Sequence, residues 1–429
     1  MTRPIRRQAV EWHVACARSF AAASSLPAES VPIDAAVGRI LAQEVRTLYE
    51  LPHYSSSAMD GWAVAGEAPW KVVEPEDAAA SLRPGHATVV VTGGLIPPGT
   101  RGVLRSENAT VSASSSLPRL LTRGVAAAAD EPQEGKHIRP AGEEAARDAT
   151  VIRAGTLLNP AHVALAAIAG HDILEVVAEP RVAMLFTGDE VIESGRPRPG
   201  QVRDSFGPQL PAFVRMLGGR VVSRQRIGDD PAATLAALGQ SGTEQTGSEQ
   251  TGLGQSGTEE TSPEQTSPEQ TSTEVVITTG GTGDSAADHL RGVLRELDAE
   301  FIIDGVAMRP GGPSLLARLP DGRFVTCLPG NPLAAMMGML TLAAPLLAAL
   351  GGRRQPSTGS VAVAVDIAGR TGSSMLIPYR LVDGLAVPNE WSGSGMMRGL
   401  ADANGVLVVP GDGVHAGETA ETIGFPWPT

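Results

Sequence analysis

Residues 275–285 read Val-Val-Ile-Thr-Thr-Gly-Gly-Thr-Gly-Asp-Ser, an apolar run that enters a turn of glycine, hydroxyl and carboxylate residues. The same order occurs twice more, where Arg181–Phe186 precedes Thr187–Glu190 and where Phe324–Leu328 precedes Pro329–Pro332. Short β-rich runs that are each followed by a helix-like stretch predict parallel strands in an α/β layer. We name three turns in chain order: the first is Thr187–Glu190, the second Thr279–Ser285 and the third Pro329–Pro332.

The three turns are predicted to open onto one crevice, because ligands of such sheets bind outside the carboxyl ends of the strands. Glycine lets the backbone approach a ligand closely, and the N–H groups at a helix N-terminus favour anions. The turns carry Asp189, Glu190 and Asp284, and Asp288 follows closely. Backbone donors beside carboxylates predict a phosphate-bearing ligand held together with a divalent cation. The second turn lacks the Gly-Lys-Ser/Thr of a Walker loop, so ATP hydrolysis of that kind is not indicated.

Each turn also has a purely structural interpretation. Asn331 and Pro332 are typical of a helix cap and a first helical position, and Thr187 or Asp189 is expected to cap a helix under that interpretation. The second turn is then only a flexible loop. The repetition of similar turns, and the presence of two adjacent acids where capping needs one, favour the binding interpretation.

Composition excludes several classes of function. The net charge is −13, and the stretch from Gln240 to Glu274 holds seven glutamates and no basic residue. No basic stripe with interleaved aromatic residues is present, which argues against nucleic-acid binding. The two cysteines, Cys16 and Cys327, form neither a disulfide framework nor a zinc motif. No set of Ser, His and Asp or of Cys and His indicates hydrolytic chemistry.

The N-terminus lacks the apolar core of a signal peptide. Pro332–Leu350 is apolar and long enough to span a bilayer, but it contains Gly338 and Pro345 and follows the third turn. We therefore predict a buried core helix, no membrane association and a cytoplasmic location.

The pattern predicts four regions in a chain of 429 residues. Residues 8–48 are predicted to be helical, with a second helix beginning near Pro32, and a helix over Pro160–Ala169 is expected between Asn159 as its cap and Gly170. Residues 240–273 form a low-complexity insert in the predicted α/β domain. This insert is predicted to be a disordered spacer that leaves the sheet at the end opposite the crevice. The predicted regions are an extended helical or linker domain (1–50 plus 138–178), a β-rich domain (51–137), an α/β domain (179–352, with the insert at 240–273) and a C-terminal β-barrel (353–429).

A set of motifs resembles the molybdopterin molybdenumtransferases, the family of MoeA and the gephyrin E domain. Leu51–Val64, with the sequence Leu-Pro-His-Tyr-Ser-Ser-Ser-Ala-Met-Asp-Gly-Trp-Ala-Val, is similar to the signature of that family. The other matches follow in the order of the family and extend the resemblance over nearly the whole chain: Val91–Gly94, Thr187–Glu190, Pro199–Ser205, Gly280–Gly281 with Asp288, Met308–Gly311, Leu328–Pro332 and Ser392–Met396.

The resemblance implies a four-domain, elongated homodimer whose cleft lies between the α/β domain of one subunit and the β-rich domain of the other. It implies insertion of molybdate into adenylylated molybdopterin, with release of AMP and help from Mg²⁺. A molybdopterin adenylyltransferase is an expected partner.

The resemblance also assigns roles to particular residues. Glu190 and Asp288 resemble the magnesium ligands. The expected catalytic residues are Asp60 and Thr92 of the cleft, and Arg309 and Ser394 of the molybdate pocket. The turns and the resemblance together predict the cofactor-binding residues Thr187, Gly188, Asp189, Gly280, Gly281, Thr282, Gly283, Asp284, Ser285, Pro329, Gly330 and Asn331.

Two hypotheses about function remain open, because the chain departs from the family pattern. The loop Thr282–Ser285 is altered, Gly312 stands where the family has a lysine, and Arg309 replaces a second lysine. Arginine keeps the charge but not the compact ammonium group. The first hypothesis is a working molybdenum insertase. The second is a catalytically impaired paralogue that acts as a molybdopterin-binding or scaffold protein.

Overall fold

The structure is a computed structural model that describes residues 9–112, 119–239, 273–282 and 289–427. Its contacts divide the chain into two compact units. The first unit comprises Met1–Glu29 and Val177–Thr429, and the second comprises Ser30–Val176. The predicted residues Gly283, Asp284, Ser285 and Asp288, and residues 240–272 of the insert, lie outside the described part of the chain.

The first unit is built on a six-stranded sheet, which we call the central sheet. Four neighbouring strands are parallel, and the last two strands are added through antiparallel pairing, so only Leu315–Arg318 runs in the opposite direction. Phe186, Thr279 and Leu328 are aligned across three neighbouring strands, so these strands end in one row. The parallel α/β layer predicted from the three apolar runs is therefore confirmed. The order across the sheet is Arg220–Arg226, Arg181–Phe186, Val275–Thr279, Phe324–Leu328, Leu315–Arg318 and Glu300–Asp304.

The interior strands are nearly continuous apolar runs because both of their faces are covered. Every residue of Val275–Thr279 and of Phe324–Leu328 is buried. One face packs in the largest hydrophobic cluster, which includes Val275, Ile277 and Leu328. The other face packs in a second cluster, which includes Val276 and Cys327. Burial raises the pKa of the Cys327 thiol to about 12, so this side chain behaves as a small buried hydrophobe.

A long apolar helix, Pro332–Leu350, forms the centre of the largest cluster, and we call it the core helix. It has a mean hydropathy of 2.0 and is entirely buried, which confirms the predicted core helix. It consists of α-helix over Pro332–Gly338 and Ala344–Leu350 with a π-helical turn between them. The indole N–H of Trp12 donates a 3.0 Å hydrogen bond to the Thr341 hydroxyl within that turn.

The remaining helices and strands of the first unit surround this core. The helices are Trp12–Ala21, Phe206–Met216, Pro231–Gly239, Leu290–Glu296 and Arg398–Ala401. A short parallel pair joins Val191–Ile192 to Val202–Arg203. A seven-stranded sheet has the order Val10–Glu11, Val306–Arg309, Ser374–Val382, Gly405–Val409, Thr419–Ile423 and Gly359–Ala362, with Leu385–Pro388 paired to Ser374–Val382.

The second unit is rich in short strands. Its largest sheet has the order Gly102–Arg105, Gly61–Val64, His86–Val90, Trp70–Val72, Leu120–Arg123 and Ala109–Val111. Two-stranded sheets join Ile138–Arg139 to Ser56–Ser57, Thr150–Ile152 to Val45–Arg46, and Ile173–Val177 to Ala28–Pro32. Helices span Pro75–Ala78 and Pro160–Ile168. The predicted cap of the helix Pro160–Ile168 is confirmed, because the Asn159 side chain accepts a hydrogen bond from the His162 N–H.

The prediction of helix over residues 8–48 is wrong beyond Ala21. Ala28–Pro32 is a strand, and Ile33–Ala35 forms one 3-10 turn where a second helix was predicted. Pro32 forces the residue before it into an extended conformation, and this position precedes the predicted helix start. Trp12 and Ala15 pack in the cluster of the core helix. The helix Trp12–Ala21 thus belongs with the α/β core, which differs from its predicted place beside residues 138–178.

Candidate active site

The ends of three parallel strands are joined by hydrogen bonds. Thr187 donates to the Thr279 carbonyl from its backbone N–H at 3.3 Å and from its hydroxyl at 2.7 Å. The N–H of Gly280 donates to the Leu328 carbonyl at 3.0 Å. The first turn is thus tied to the second, and the second to the strand that leads into the third. The predicted proximity of the three strand ends is therefore confirmed, and the crevice that the turns are predicted to share stays a prediction.

Glycine is required at position 280. Its φ is +86°, in the left-handed region that side chains rarely adopt. A Cβ at this position would collide with the hydroxyl oxygen of Thr187. A Cβ at Gly330 would stand 3.6 Å from the Gly280 Cα, so backbone of the second and third turns lies in close proximity. These turns present main-chain groups where side chains would otherwise stand.

The segment Ser392–Met396 also reaches the N-terminus of the core helix. Asn331 and Pro332 occupy the predicted cap and first helical positions, but the Asn331 side chain makes no capping hydrogen bond. Instead the Ser394 carbonyl accepts from the Ala334 N–H at 3.1 Å. The Asn331 amide oxygen lies 3.5 Å from the position of a Cβ on Gly395. The structural interpretation, in which the Asn331 side chain caps the core helix, is therefore wrong. The exposed Asn331 side chain is available for a ligand.

The turn that follows Arg309 lies against the same end of the core helix. A Cβ at Gly311 would stand 2.9 Å from the Ala334 carbonyl oxygen and 3.4 Å from the Met337 Cβ. Arg309 itself is exposed at the end of its strand. Within the described residues no carboxylate lies within ion-pair distance of its guanidinium. An exposed guanidinium at this position suits an anionic ligand.

The first turn does not begin a helix. It leads into the strand Val191–Ile192, so the structural interpretation of Thr187 and Asp189 as helix caps is wrong. The next helix, Phe206–Met216, begins later in the chain. There the Asp204 carboxylate accepts from the N–H groups of Phe206 and Gly207, each at 3.0 Å, and from Arg226 Nη2 at 2.7 Å.

The acidic side chains of the first turn are exposed and point differently. Glu190 Oε2 lies 2.9 Å from the position of a Cβ on Gly188, so the carboxylate folds back over its own turn. Asp189 Oδ1 lies 2.8 Å from the position of a Cβ on Gly228. Asp189 therefore meets a fourth turn, Gly228–Asp230, which follows the strand Arg220–Arg226.

The sequence does not predict this fourth turn, because the strand before it is a polar edge strand. Its signal is the sequence Asp229-Asp230-Pro231, an acidic pair before a proline at a helix start. The Asp230 carboxylate caps the helix Pro231–Gly239 by accepting from the N–H groups of Ala232 and Ala233 at 3.2 and 3.0 Å. Asp229 is exposed beside it.

The described residues contain part of the predicted metal site. Glu190 supplies carboxylate oxygens, the ligand type that Mg²⁺ prefers. No group of three or more His, Cys, Asp or Glu residues that could hold a metal ion occurs in the part of the chain that the structure describes. The predicted second ligand, Asp288, lies outside that part. Glu190 therefore fits a magnesium site that draws its other ligands from phosphate, water or Asp288.

Asp60 and Thr92 form a hydrogen-bonded pair in the second unit. Thr92 donates to Asp60 Oδ1 from its backbone N–H at 2.7 Å and from its hydroxyl at 2.9 Å. These two bonds, the backbone one first, lower the pKa of the Asp60 carboxyl below its ordinary value. Asp60 is thereby held as an exposed anion with a fixed orientation.

Three family models match the chain. They are the MoeA N-terminal region (domains I and II) over residues 9–170, a probable molybdopterin binding domain over residues 259–349, and the MoeA C-terminal region (domain IV) over residues 360–425. Together the matches cover most of the sequence and include all of the strand-end turns except the first and fourth.

Curated relatives extend the similarity through those turns. Molybdopterin molybdenumtransferase 2 of Mycobacterium tuberculosis (strain CDC 1551 / Oshkosh) is 29% identical over 90% of this chain and 92% of the relative. The molybdopterin molybdenumtransferase of Nostoc sp. is 28% identical over 89% of this chain and 85% of the relative. A solved molybdopterin biosynthesis MoeA protein from Pyrococcus horikosii superposes with a TM-score of 0.73, at 23% identity, over 97% of this chain and 99% of that one.

Proposed function

Because the chain belongs to the MoeA family, we propose that it is a molybdopterin molybdenumtransferase that inserts molybdate into adenylylated molybdopterin and releases AMP. Its role is in the biosynthesis of the molybdenum cofactor. The observation that supports this activity most directly is the convergence of the strand-end turns at the N-terminus of the core helix. Thr187 bonds to Thr279, Gly280 bonds to Leu328, and Ser394 bonds to Ala334.

The phosphates of the substrate are proposed to bind over the second and third turns. Gly280, Gly281 and Gly330 carry no side chains, so a phosphate can approach the main chain closely. The core helix adds the positive end of its dipole and the free Asn331 amide. Thr187, Gly188, Asp189, Thr282, Pro329 and, outside the described residues, Gly283, Asp284 and Ser285 are proposed to line the same surface.

Mg²⁺ is proposed to be held by Glu190 together with Asp288. The ion would supply positive charge to the phosphate oxygens of the substrate and so favour departure of AMP. The exposed Glu190 carboxylate beside Gly188 is the part of this site that the structure describes. The chain's own role is to hold a hard oxygen donor at the edge of the sheet where the phosphates are proposed to bind.

Molybdate is proposed to bind beside Arg309 and Ser394. The turn after Arg309 packs on Ala334, whose N–H is bonded to the Ser394 carbonyl, so both residues are fixed to the first turn of one helix. A guanidinium and a hydroxyl are suitable donors to a tetrahedral oxyanion. Asp60 and Thr92 are proposed as the further catalytic pair.

Four features remain proposals, of which the first two rest on the family resemblance and the last two also on the sequence pattern. They are the homodimer, a molybdopterin adenylyltransferase as partner, the cytoplasmic location, and the finer division into four domains with a C-terminal barrel.

Reconstitution tests the proposed activity. Purified protein is incubated with adenylylated molybdopterin, Mg²⁺ and molybdate, and AMP release and pterin-bound molybdenum are measured over time. We expect both products in equal amounts and only in the presence of molybdate. Tight pterin binding without AMP release would reject the insertase activity.

A second candidate function, pterin binding without efficient insertion, is favoured by the environment of Gly312. A Cβ at this position would stand 3.1 Å from the Met308 carbonyl oxygen and 3.3 Å from the Val306 carbonyl oxygen. The backbone there is packed around a residue without a side chain. The pocket therefore has one cation fewer than a pocket that carries lysine at this position, and molybdate is expected to bind more weakly.

A further inference from the structure

Arg291 is a buried guanidinium that joins three separate segments of the first unit. It lies on the helix Leu290–Glu296 and is only 9% exposed. Its Nη1 donates to the Thr282 carbonyl at 2.6 Å, and its Nη2 donates to the Pro313 carbonyl at 3.1 Å. Its Nε donates to Asp304 Oδ1 at 2.6 Å. One side chain therefore bonds to the second turn, to the turn after Arg309 and to the end of a strand of the central sheet.

A charge in this position is costly unless its hydrogen bonds are satisfied, because burial removes it from water. The ion pair with Asp304 and the two carbonyls supply those bonds. The planar guanidinium reaches all three partners in fixed directions, and a lysine ammonium on a flexible stem does not reproduce that fork. The geometry is therefore specific to arginine.

The two carbonyls belong to segments that the proposed function uses. Thr282 directly follows Gly280 and Gly281, which are proposed to contact phosphate. Pro313 ends the turn that begins at Arg309, which is proposed to contact molybdate. The first segment is bonded to Leu328, the last residue of the strand that leads into the core helix, and the second packs on Ala334 in the first turn of that helix. The helix that carries Arg291 packs through Leu290, Val293 and Leu294 in the second cluster, whereas the core helix packs in the largest cluster.

We propose that Arg291 is a positioning residue of the insertase site, which fixes the distance between the second turn and the Arg309 turn. This inference rests on the proposed function. Arg291 does not touch the substrate. It holds the main chain at Gly281 and the guanidinium of Arg309 so that phosphate and molybdate bind at the separation that transfer requires.

The test compares the wild type with Arg291→Lys, Arg291→Met and Asp304→Asn. Arg295→Lys is the matched control, because Arg295 lies one turn further along the same helix, where its guanidinium is 5.6 Å from the centre of the Phe301 ring. Two quantities are measured on full-length protein. The first is the Kd for molybdate of protein saturated with adenylylated molybdopterin, measured without Mg²⁺ so that binding is not followed by transfer. The second is amide hydrogen exchange over residues 280–282 and 311–315.

We expect Arg291→Lys to weaken molybdate binding on the order of tenfold, the effect of one lost hydrogen bond to a charged group. The affinity for adenylylated molybdopterin should change less than the affinity for molybdate. Exchange should accelerate in both segments and remain unchanged in the strands Gly405–Val409 and Thr419–Ile423. Asp304→Asn should show the same pattern more weakly and serves if Arg291→Met does not fold. Arg295→Lys should resemble the wild type.

Two results would overturn the proposal. One is wild-type exchange and wild-type molybdate affinity in both Arg291 variants. The other is acceleration of exchange throughout the first unit, which indicates a general loss of stability. If wild-type protein binds no molybdate, the proposed function fails by itself. The exchange measurements then decide alone whether Arg291 holds the two segments.

Discussion

The hydroxyl of Thr187 donates a 2.7 Å hydrogen bond to the carbonyl of Thr279, and so joins the ends of two parallel strands. Both residues are buried, at 7% and 1% exposure. A satisfied bond in such a place is worth more than a surface bond, because a buried hydroxyl without a partner loses its hydration. This bond also places the Thr187 hydroxyl where any side chain at position 280 would stand.

Gly280→Ala is expected to destabilise the protein and abolish binding of adenylylated molybdopterin. The new methyl group collides with the Thr187 hydroxyl, and φ of +86° strains any L side chain. We expect a loss of about 1–3 kcal/mol in the free energy of unfolding. Denaturant unfolding and equilibrium binding measure the two effects.

Gly322→Ala is the matched control for that substitution. Gly322 has φ of +91°, but a Cβ there meets nothing within 4 Å, so the variant has the backbone strain alone. It should be destabilised less and bind the pterin normally. The double variant Thr187→Ala with Gly280→Ala should recover part of the stability. Equal losses for Gly280→Ala and Gly322→Ala would contradict the proposed contact.

Glu190→Gln is expected to remove most of the Mg²⁺ dependence of substrate binding. The amide keeps the shape of the side chain but loses the charge that a hard cation requires. Titration of Mg²⁺ against pterin affinity and AMP release measures the effect. Glu193→Gln is the control, because Glu193 is a nearby acid already paired with Arg226 Nε at 3.1 Å. An unchanged Mg²⁺ requirement in Glu190→Gln would remove this residue from the metal site.

Thr92→Val is expected to raise the pKa of Asp60 part of the way toward its ordinary value. The variant loses the hydroxyl donor but keeps the backbone N–H, which is the larger cause of the lowered pKa. A lowered pKa in the folded state favours folding above the unfolded pKa, and this contribution disappears as pH falls through the folded pKa. Because the pKa of Asp60 is higher in Thr92→Val, the loss of this stabilising contribution should begin at higher pH. The acidic limb of the activity profile should move to higher pH for the same reason.

NMR titration of the Asp60 carboxyl carbon in both proteins provides the measurement. Thr100→Val serves as a control, since the Thr100 hydroxyl donates to the Pro97 carbonyl and not to a carboxylate. An identical Asp60 titration in the wild type and Thr92→Val would show that the hydroxyl bond does not form in solution.

Gly312→Lys is expected to strengthen molybdate binding, because it adds a cation beside Arg309. A charge-assisted hydrogen bond contributes about 1.5–3 kcal/mol, and the close carbonyls of Met308 and Val306 offset part of that gain. Gly312→Ala measures the packing cost alone. Isothermal titration with molybdate gives both affinities. Weaker binding in Gly312→Lys than in Gly312→Ala would indicate that this turn does not face the anion.

The interior of the fold could be predicted from the sequence because its strands are buried on both faces. Arg181–Phe186, Val275–Thr279 and Phe324–Leu328 are mostly apolar runs, and glycine-containing turns mark their ends. The edge strand Arg220–Arg226 contains arginine, serine and glutamine, so the apolar pattern does not reveal it, and the turn Gly228–Asp230 is indicated only by the acidic pair before Pro231. The error near Pro32 has another origin, since this proline favours an extended conformation in the residue before it and ends the strand Ala28–Pro32.

The candidate site was only partly predictable. Turn chemistry indicates Gly280, Gly330 and Asn331, because these residues suit close approach and helix starts. The hydrogen bond from Ala334 to the Ser394 carbonyl joins residues far apart in the chain, and no local pattern predicts it. The same applies to Arg291, whose three partners become neighbours only after the central sheet has formed.

The composition of the seven-stranded sheet limits how this gene can be divided. Two of its strands, Val10–Glu11 and Val306–Arg309, come from outside the C-terminal region, and His13 Nε2 lies 2.7 Å from Glu421 Oε2. A fragment that starts at Arg353 would leave the backbone of Ser374 and Met375 without its neighbour and expose an unprotected edge. A chimaera that exchanges only the region after Arg353 would therefore tend to aggregate at this edge. A successful chimaera must take Val10–Glu11, Val306–Arg309 and the C-terminal strands from the same parent.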